Sequence, residues 1–224
     1  AYGTKKIKKV DKIFGPGNQY VTAAKTLVSI DPGGASIDMP AGPSEVLIIA
    51  DKYANASFVA SDLLSQAEHG ADSQVILLTT DISFSEKVLT ELKLQLKLLP
   101  RKKIAENALK SSFIMKVNSI NEALEISNSY APEHLILNIK EPNKYVSKIV
   151  NAGSVFVGPY SPESAGDYAS GTNHSLPTYG YAKSFGGVNV ESFMKPITFQ
   201  TLSKNGLKEI SNSVITLAET EGLQ

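Results

Sequence analysis

The sequence predicts an α/β fold around a largely parallel sheet. Short β-rich runs alternate with longer amphipathic stretches, the pattern of βα units whose crossover helices cover a sheet. The 224 residues, 42% hydrophobic and 20% charged, suffice for one large domain or two small ones. No apolar run approaches the roughly 20 residues that span a bilayer, so a soluble globular protein is expected.

In chain order, the first strand is read at 12–15, ending in Gly15-Pro16-Gly17-Asn18, and a helix at 19–27 follows that turn. The aliphatic run of 45–50 is the second strand, and 54–69 the second helix, with Val59, Ala60, Leu63, Leu64 and Ala67 on one arc. A third strand at 74–79 precedes helices at 83–99 and 101–110, separated at Pro100. Strands at 113–117, 134–139 and 154–158 alternate with helices at 120–129 and 142–151, and a last helix covers 207–221. Residues 159–189, rich in Gly, Pro, Ser, Thr and Asn, are read as irregular loops over a site.

Composition removes several classes of chemistry. Cysteine is absent, which excludes disulfides, thiolate nucleophiles, iron–sulfur clusters and cysteine-type zinc sites, and fits a reducing compartment. Any metal must use His, carboxylate or amide ligands. The 22 basic and 22 acidic residues cancel, leaving no global field for nucleic acid or an anionic membrane. Lys5, Lys6, Lys8, Lys9 and Lys12 alternate with Ile7 and Val10, which suits a solvated strand edge, and no apolar segment follows to make a signal peptide.

The three histidines each stand beside other polar residues. In Ser65-Gln66-Ala67-Glu68-His69-Gly70, Gln66 and His69 lie about 60° apart at about 100° per residue, so an amide oxygen and an imidazole can share a cation. The competing reading is a helix end at which Gly70 supplies a left-handed cap. In Tyr130-Ala131-Pro132-Glu133-His134, Pro132 breaks the helix and places an acid beside an imidazole, two proton acceptors for base catalysis. The alternative is a polar turn. This turn precedes its strand, whereas open α/β sheets usually carry sites at strand carboxyl ends. In Gly166-Asp167 to His174, a glycine-flanked carboxylate can approach a metal or an amine closely, the alternative being a solvated loop. The turns Gly15–Asn18 and Asp31–Gly34 resemble nucleotide cradles, and the first can aim its amides at a phosphate or ribose.

Together, Gly15-Pro16-Gly17-Asn18 with Tyr20 and Val21, Ala41-Gly42-Pro43-Ser44-Glu45, Ser65 to Gly70, Tyr130 to Leu135 and Gly166 to Thr178 closely resemble the histidinol dehydrogenase family. The resemblance covers nearly the whole chain. It implies oxidation of L-histidinol to L-histidine in two NAD-dependent steps through a bound aldehyde, with zinc, in the cytoplasm, as the end of histidine biosynthesis. By matching motif, Gln66, His69 and Asp167 resemble zinc ligands and Asn18 an NAD contact. Ser44, Gln66, His69, His134, Asp167 and Glu221 resemble substrate-binding positions, and Glu133 and His134 the catalytic pair. His174 is expected to support the site without ligating.

The resemblance also implies incomplete Rossmann-like domains with mostly parallel sheets, residues 1–44 closing one, 45–187 forming the second half of the other, and 188–224 a small helical C-terminal arm. A homodimer with shared sites is implied, with the arm and Glu221 reaching the partner. The family pattern begins before Ala1 and continues past Gln224 to a fourth zinc-ligating histidine, so the 224 residues alone are expected to bind zinc weakly and turn over poorly. Two other classes fit the residues less fully: a zinc-dependent hydrolase in which Glu133 or His134 activates water, and a non-catalytic metabolite-binding relative.

Overall fold

In the computed structural model, which describes residues 1–223, the chain opens with β1 (Lys12–Ile13), α1 (Gln19–Ile30) and β2 (Ser36–Ile37), and the two strands pair in parallel. The connecting helix starts where Asn18 accepts hydrogen bonds from the backbone N–H groups of Tyr20 and Val21. A buried ion pair, Lys25 with Asp38, fastens this segment. Lys25 Nζ donates to the Gly15 carbonyl at 2.7 Å, and Asp38 Oδ2 accepts from the Gly15 N–H at 2.7 Å. Gly15 adopts φ 112°, which an L side chain rarely does.

The main sheet follows: β3 (Glu45–Ala50), β4 (Gln74–Thr79), β5 (Phe113–Lys116), β6 (His134–Asn138) and β7 (Ser154–Val157). All neighbours are parallel in the order β5-β4-β3-β6-β7. Counted from β3, that is the 3-2-1-4-5 order of a doubly wound sheet, which reverses direction between β3 and β6. Strand alternation divides the core. Val46, Ile48, Leu77 and Ile136 face α2 (Ala56–Ala67), α3 (Ile82–Leu96) and α4 (Lys102–Ala108). Leu47, Ile49, Leu78 and Leu135 face α5 (Ile120–Tyr130). Burial of each such side chain stabilises the fold by about 1.5–3 kcal/mol.

Every predicted strand and most helices form close to their expected bounds. Three expectations are overturned. Residues 142–151 make two 3-10 turns, Pro142–Lys144 and Val146–Lys148, because Pro142 opens a single turn that Ile149 ends in extended backbone. The stretch 159–189 is not all loop: it contains α6 (Glu163–Tyr168), started after Pro162. The lysine-rich segment before Lys12 is no strand edge, since pairing is confined to Lys12–Ile13.

Ala1–Asn189 form one compact unit and the residues from Val190 a second. The second holds a 3-10 turn (Val190–Phe193) and α7 (Lys204–Thr220), capped by Ser203 and ending at Glu221. Leu207, Ile210, Val214 and Leu217 of α7 are exposed. Among the described residues no helix is long and apolar enough to cross a membrane.

The Lys25–Asp38 pair gives a test. Burial raises the Asp38 carboxyl, but Lys25 and the N–H groups of Gly15 and Met39 outweigh it and hold the group below its ordinary 3.8. Its stabilising contribution is therefore present above pH 3.8 and lost as pH falls further. Asp38→Asn is expected to destabilise by about 3 kcal/mol at pH 7, because it leaves the Lys25 charge unpaired. Denaturant unfolding at pH 7 and pH 3 should show the deficit shrinking at the lower value.

Candidate active site

The turn from α5 into β6 builds the centre of the site. Ala131 takes the left-handed conformation, φ 58°, and ends the helix ahead of Pro132, at a cost of about 1 kcal/mol for a non-glycine residue. The chain then enters β6 beside β3, with His134 level with Val46. Glu133 Oε2 accepts the Glu45 N–H at 2.8 Å, and His134 Nδ1 lies 3.0 Å from the Glu45 carbonyl. A carbonyl only accepts, so Nδ1 carries a proton, and when the ring is neutral Nε2 is the free base. Both side chains are buried, and Glu133 Oε2 stands 3.5 Å from Nδ1.

His134 Nε2 has no hydrogen-bond partner and faces Asp167 Oδ1 at 4.0 Å. Asp167 is delivered by α6, which packs against α2 and the Phe156 ring. Gly166 permits that approach: a Cβ there would meet Phe156 Cε1 at 2.4 Å and Thr172 Oγ1 at 2.6 Å. From α2 comes Gln66, whose buried Oε1 is also unpartnered, and from the turn just after it His69, whose Nδ1 lies 2.9 Å from the Ser65 carbonyl and leaves Nε2 available. His69, Glu163 and Asp167 each offer a ligand atom, all within 4.8 Å of one another.

Charge is concentrated here. Burial alone would lower His134, but the hydrogen bond and charge of Glu133, with the charge of Glu163, hold it up at about 8. Glu163 is raised by burial and by Asp167, although His134 opposes this. Burial, with the charge of Glu163, pushes Asp62 up to about 7. Crowded acids that are raised by their surroundings are ready to take a cation. An amide oxygen, an imidazole and carboxylates, with the Gln66 oxygen buried and without a partner, form a donor set that suits zinc.

A smaller cleft of about 210 Å³ brings Asn18, Ser44 and His69 together with Gly17, Gly42 and Asp72. Asn18 spends its side-chain oxygen on capping α1, so its amide nitrogen is what remains for a ligand. Gly70 does not adopt the left-handed cap that the competing reading of this helix end needs. His174 is exposed, and Glu221 belongs to the second unit. Sequence reasoning missed Glu163. Its spacing of four from Asp167 places both on one helix face, a signal that becomes readable only once 163–168 is taken as helical.

Comparison with known proteins bears on the family and the fold. The family model described as histidinol dehydrogenase matches residues 1–224. A histidinol dehydrogenase of Photobacterium profundum is 56% identical over 223 residues, which is 100% of this chain and 50% of that protein. For the Vibrio cholerae histidinol dehydrogenase the identity is 55%, over 100% of this chain and 52% of that protein. The crystal structure of a histidinol dehydrogenase from Elizabethkingia anophelis superposes with a TM-score of 0.94 at 58% identity, covering 98% of this chain and 50% of that one. The chain thus spans about half the length of the relatives it matches. With the same strand scaffold, and with sequence identity sustained from end to end, this chain belongs to the histidinol dehydrogenase family.

Proposed function

We propose that the full-length protein carrying this chain oxidises L-histidinol to L-histidine in two NAD-dependent steps, as the end of histidine biosynthesis, with zinc held by Gln66, His69 and Asp167. The observation that carries this reading is the pair of buried, unpartnered atoms, Gln66 Oε1 and His134 Nε2, in residues flanking the His69–Glu163–Asp167 cluster. An unpaired buried polar atom is costly in a finished protein and useful where a ligand completes it. Family membership supports the substrate and cofactor; Asn18 lies in a cleft with Ser44 and His69, which suits a nicotinamide beside the substrate.

Bound zinc would supply a positive charge for the substrate's nitrogen donors, and NAD the hydride acceptor. The chain's own residues do the rest. His134 Nε2 takes the alcohol proton while the Glu45 carbonyl holds Nδ1–H and fixes the ring. Glu133, fixed by the Glu45 N–H, takes a proton from the water that adds to the aldehyde. Ser44, Gln66, His69, His134 and Asp167 orient the substrate so that its carbinol carbon meets the acceptor. Residues 1–44 would close one Rossmann-like domain and 45–187 the second half of another, with 188–224 as the arm. A cytoplasmic homodimer, in which Glu221 serves the partner's site, rests on the family resemblance.

Full-length protein should form two NADH per L-histidinol, lose that activity when zinc is stripped and regain it when zinc is restored; no NADH would sink the reading and leave a hydrolase or a binding protein. His69→Ala and Asp167→Ala should each weaken zinc binding by at least about tenfold in a chelator competition. Gly166→Val, which removes no ligand atom, should weaken it too, because its side chain would meet the Phe156 ring and displace Asp167. Glu133→Gln should slow the second NADH by about 100-fold in single-turnover kinetics, more than the first. Equal slowing of both would remove Glu133 from the water step.

A further inference from the structure

The segment that enters β3 is held by a strap from far along the sequence. Glu45 opens β3, and its N–H and carbonyl hold Glu133 and His134. Toward β6 the ladder begins only at Val46, level with His134. On the β4 side the Ser44 carbonyl accepts the Gln74 N–H at 3.1 Å. A further hold on residues 42–45 comes from Thr178 and Tyr179, 136 and 134 residues from their partners.

These two consecutive residues grip the segment at both ends. Thr178 Oγ1 accepts the Gly42 N–H at 2.7 Å, and the Tyr179 N–H donates to Glu45 Oε1 at 2.9 Å. The Tyr179 ring also lies against Gly42, where a Cβ would collide with it. In making these contacts Tyr179 takes φ 55°, a conformation that is costly for a non-glycine residue and persists only where its surroundings fix it. Burial of the ring does not explain that conformation, since Tyr179 is 60% exposed, whereas Thr178 is 1% exposed.

The strap is itself anchored beside the catalytic turn. Leu176 is buried, and a Cβ on Gly153 would meet both the Glu133 carbonyl oxygen, at 2.6 Å, and Leu176 Cβ, at 3.2 Å. The Ser175 carbonyl accepts the Val188 N–H at 3.1 Å, and the Ser175 N–H donates to Asn173 Oδ1 at 2.7 Å. We infer that Thr178 and Tyr179 are positioning residues for the oxidation: they fix residues 42–45, and through the Glu45 backbone they hold Glu133 and His134 in working geometry.

The inference rests on the roles proposed for Glu133 and His134 and deepens them. Both catalytic contacts radiate from one residue, so a shift of residues 42–45 would bend the bond to Glu133 Oε2 and the bond to His134 Nδ1 together. Hydrogen bonds weaken steeply when bent, and a small misplacement that starts far from the chemistry can slow it severely. His134 serves the first step and Glu133 the second, so loosening the strap should slow both. Gln66, His69 and Asp167 are carried by α2, the turn after it and α6, so zinc binding should be spared.

The test uses the full-length, zinc-loaded protein in single-turnover kinetics with L-histidinol and NAD. Thr178→Val keeps the shape of the side chain but cannot accept the Gly42 N–H, and Tyr179→Val keeps the N–H but resists a positive φ. Each should slow the first and the second NADH alike by at least about tenfold. Zinc content and the steady-state KM for L-histidinol should stay near the parent's. Thr178→Ser, which keeps the acceptor, and Tyr179→Asn, which tolerates the left-handed conformation, should each recover to within about threefold of the parent. If one valine variant fails to fold, the other and its paired variant decide. Valine variants as fast as the parent overturn the inference. So does a loss that the serine and asparagine variants share, or one that follows zinc content. A parent that forms no NADH would instead overturn the function itself, and with it the role given to the strap.

Discussion

The pairing of β3 with β6 is the contact on which the rest of the site depends. It sets Val46 against His134, and with that register the backbone of Glu45 meets both Glu133 and His134. A slip of one residue would carry His134 to the α5 side, away from Gln66 and Asp167. What prevents the slip is the apolar alternation beyond it: Val46, Ile48 and Ile136 on one face, Leu47, Ile49, Leu135 and Leu137 on the other, all buried. Hydrophobic burial thus determines where one imidazole nitrogen points.

Against that dry sheet the site is conspicuously incomplete. Gln66, His134 and Glu45 each keep a buried atom without a hydrogen-bond partner, as do the hydroxyls of Ser73 and Ser127, while Asp38 and Lys25 are fully engaged. Each such atom works against folding, and the burial around it supplies the stability that tolerates it. Of the first three, Gln66 and His134 lie toward α2, whereas Glu45 lines a separate cavity of about 490 Å³ with Tyr130 and Tyr179.

Much of the fold is legible in the sequence because its strands are buried on both faces. Runs such as Val46–Ala50 and Val75–Leu78 are continuous and apolar, and such runs are hard to mistake when turns bound them. The acid–imidazole turn is legible too, since Pro132 cannot continue α5. What escapes is short or long-range. α6 has six residues with Gly166 among them, so composition reads as loop and Glu163 goes unnoticed. The Lys25–Asp38 pair joins residues 13 apart with a strand between them, and neither residue advertises its burial. Glu45 reads as the polar first residue of a strand; only tertiary structure shows its two backbone contacts.

The position of the pair at the amino ends of β3 and β6 runs against the habit of open α/β sheets, whose ligands gather outside the carboxyl ends. The chemistry of the backbone accounts for it. At the amino end of a parallel strand the outermost N–H groups lack a neighbour, and at the carboxyl end the outermost carbonyls do. Carboxylates need donors. Here the Glu45 N–H holds Glu133, and the Tyr179 N–H holds Glu45, whereas a rim of carbonyls would repel both. The one carbonyl turned to use, that of Glu45, faces the group that has a proton to give it, His134 Nδ1. A site made of acids around one imidazole is therefore best supplied by the end of the sheet that offers N–H groups, and the doubly wound order keeps β3 and β6 side by side there.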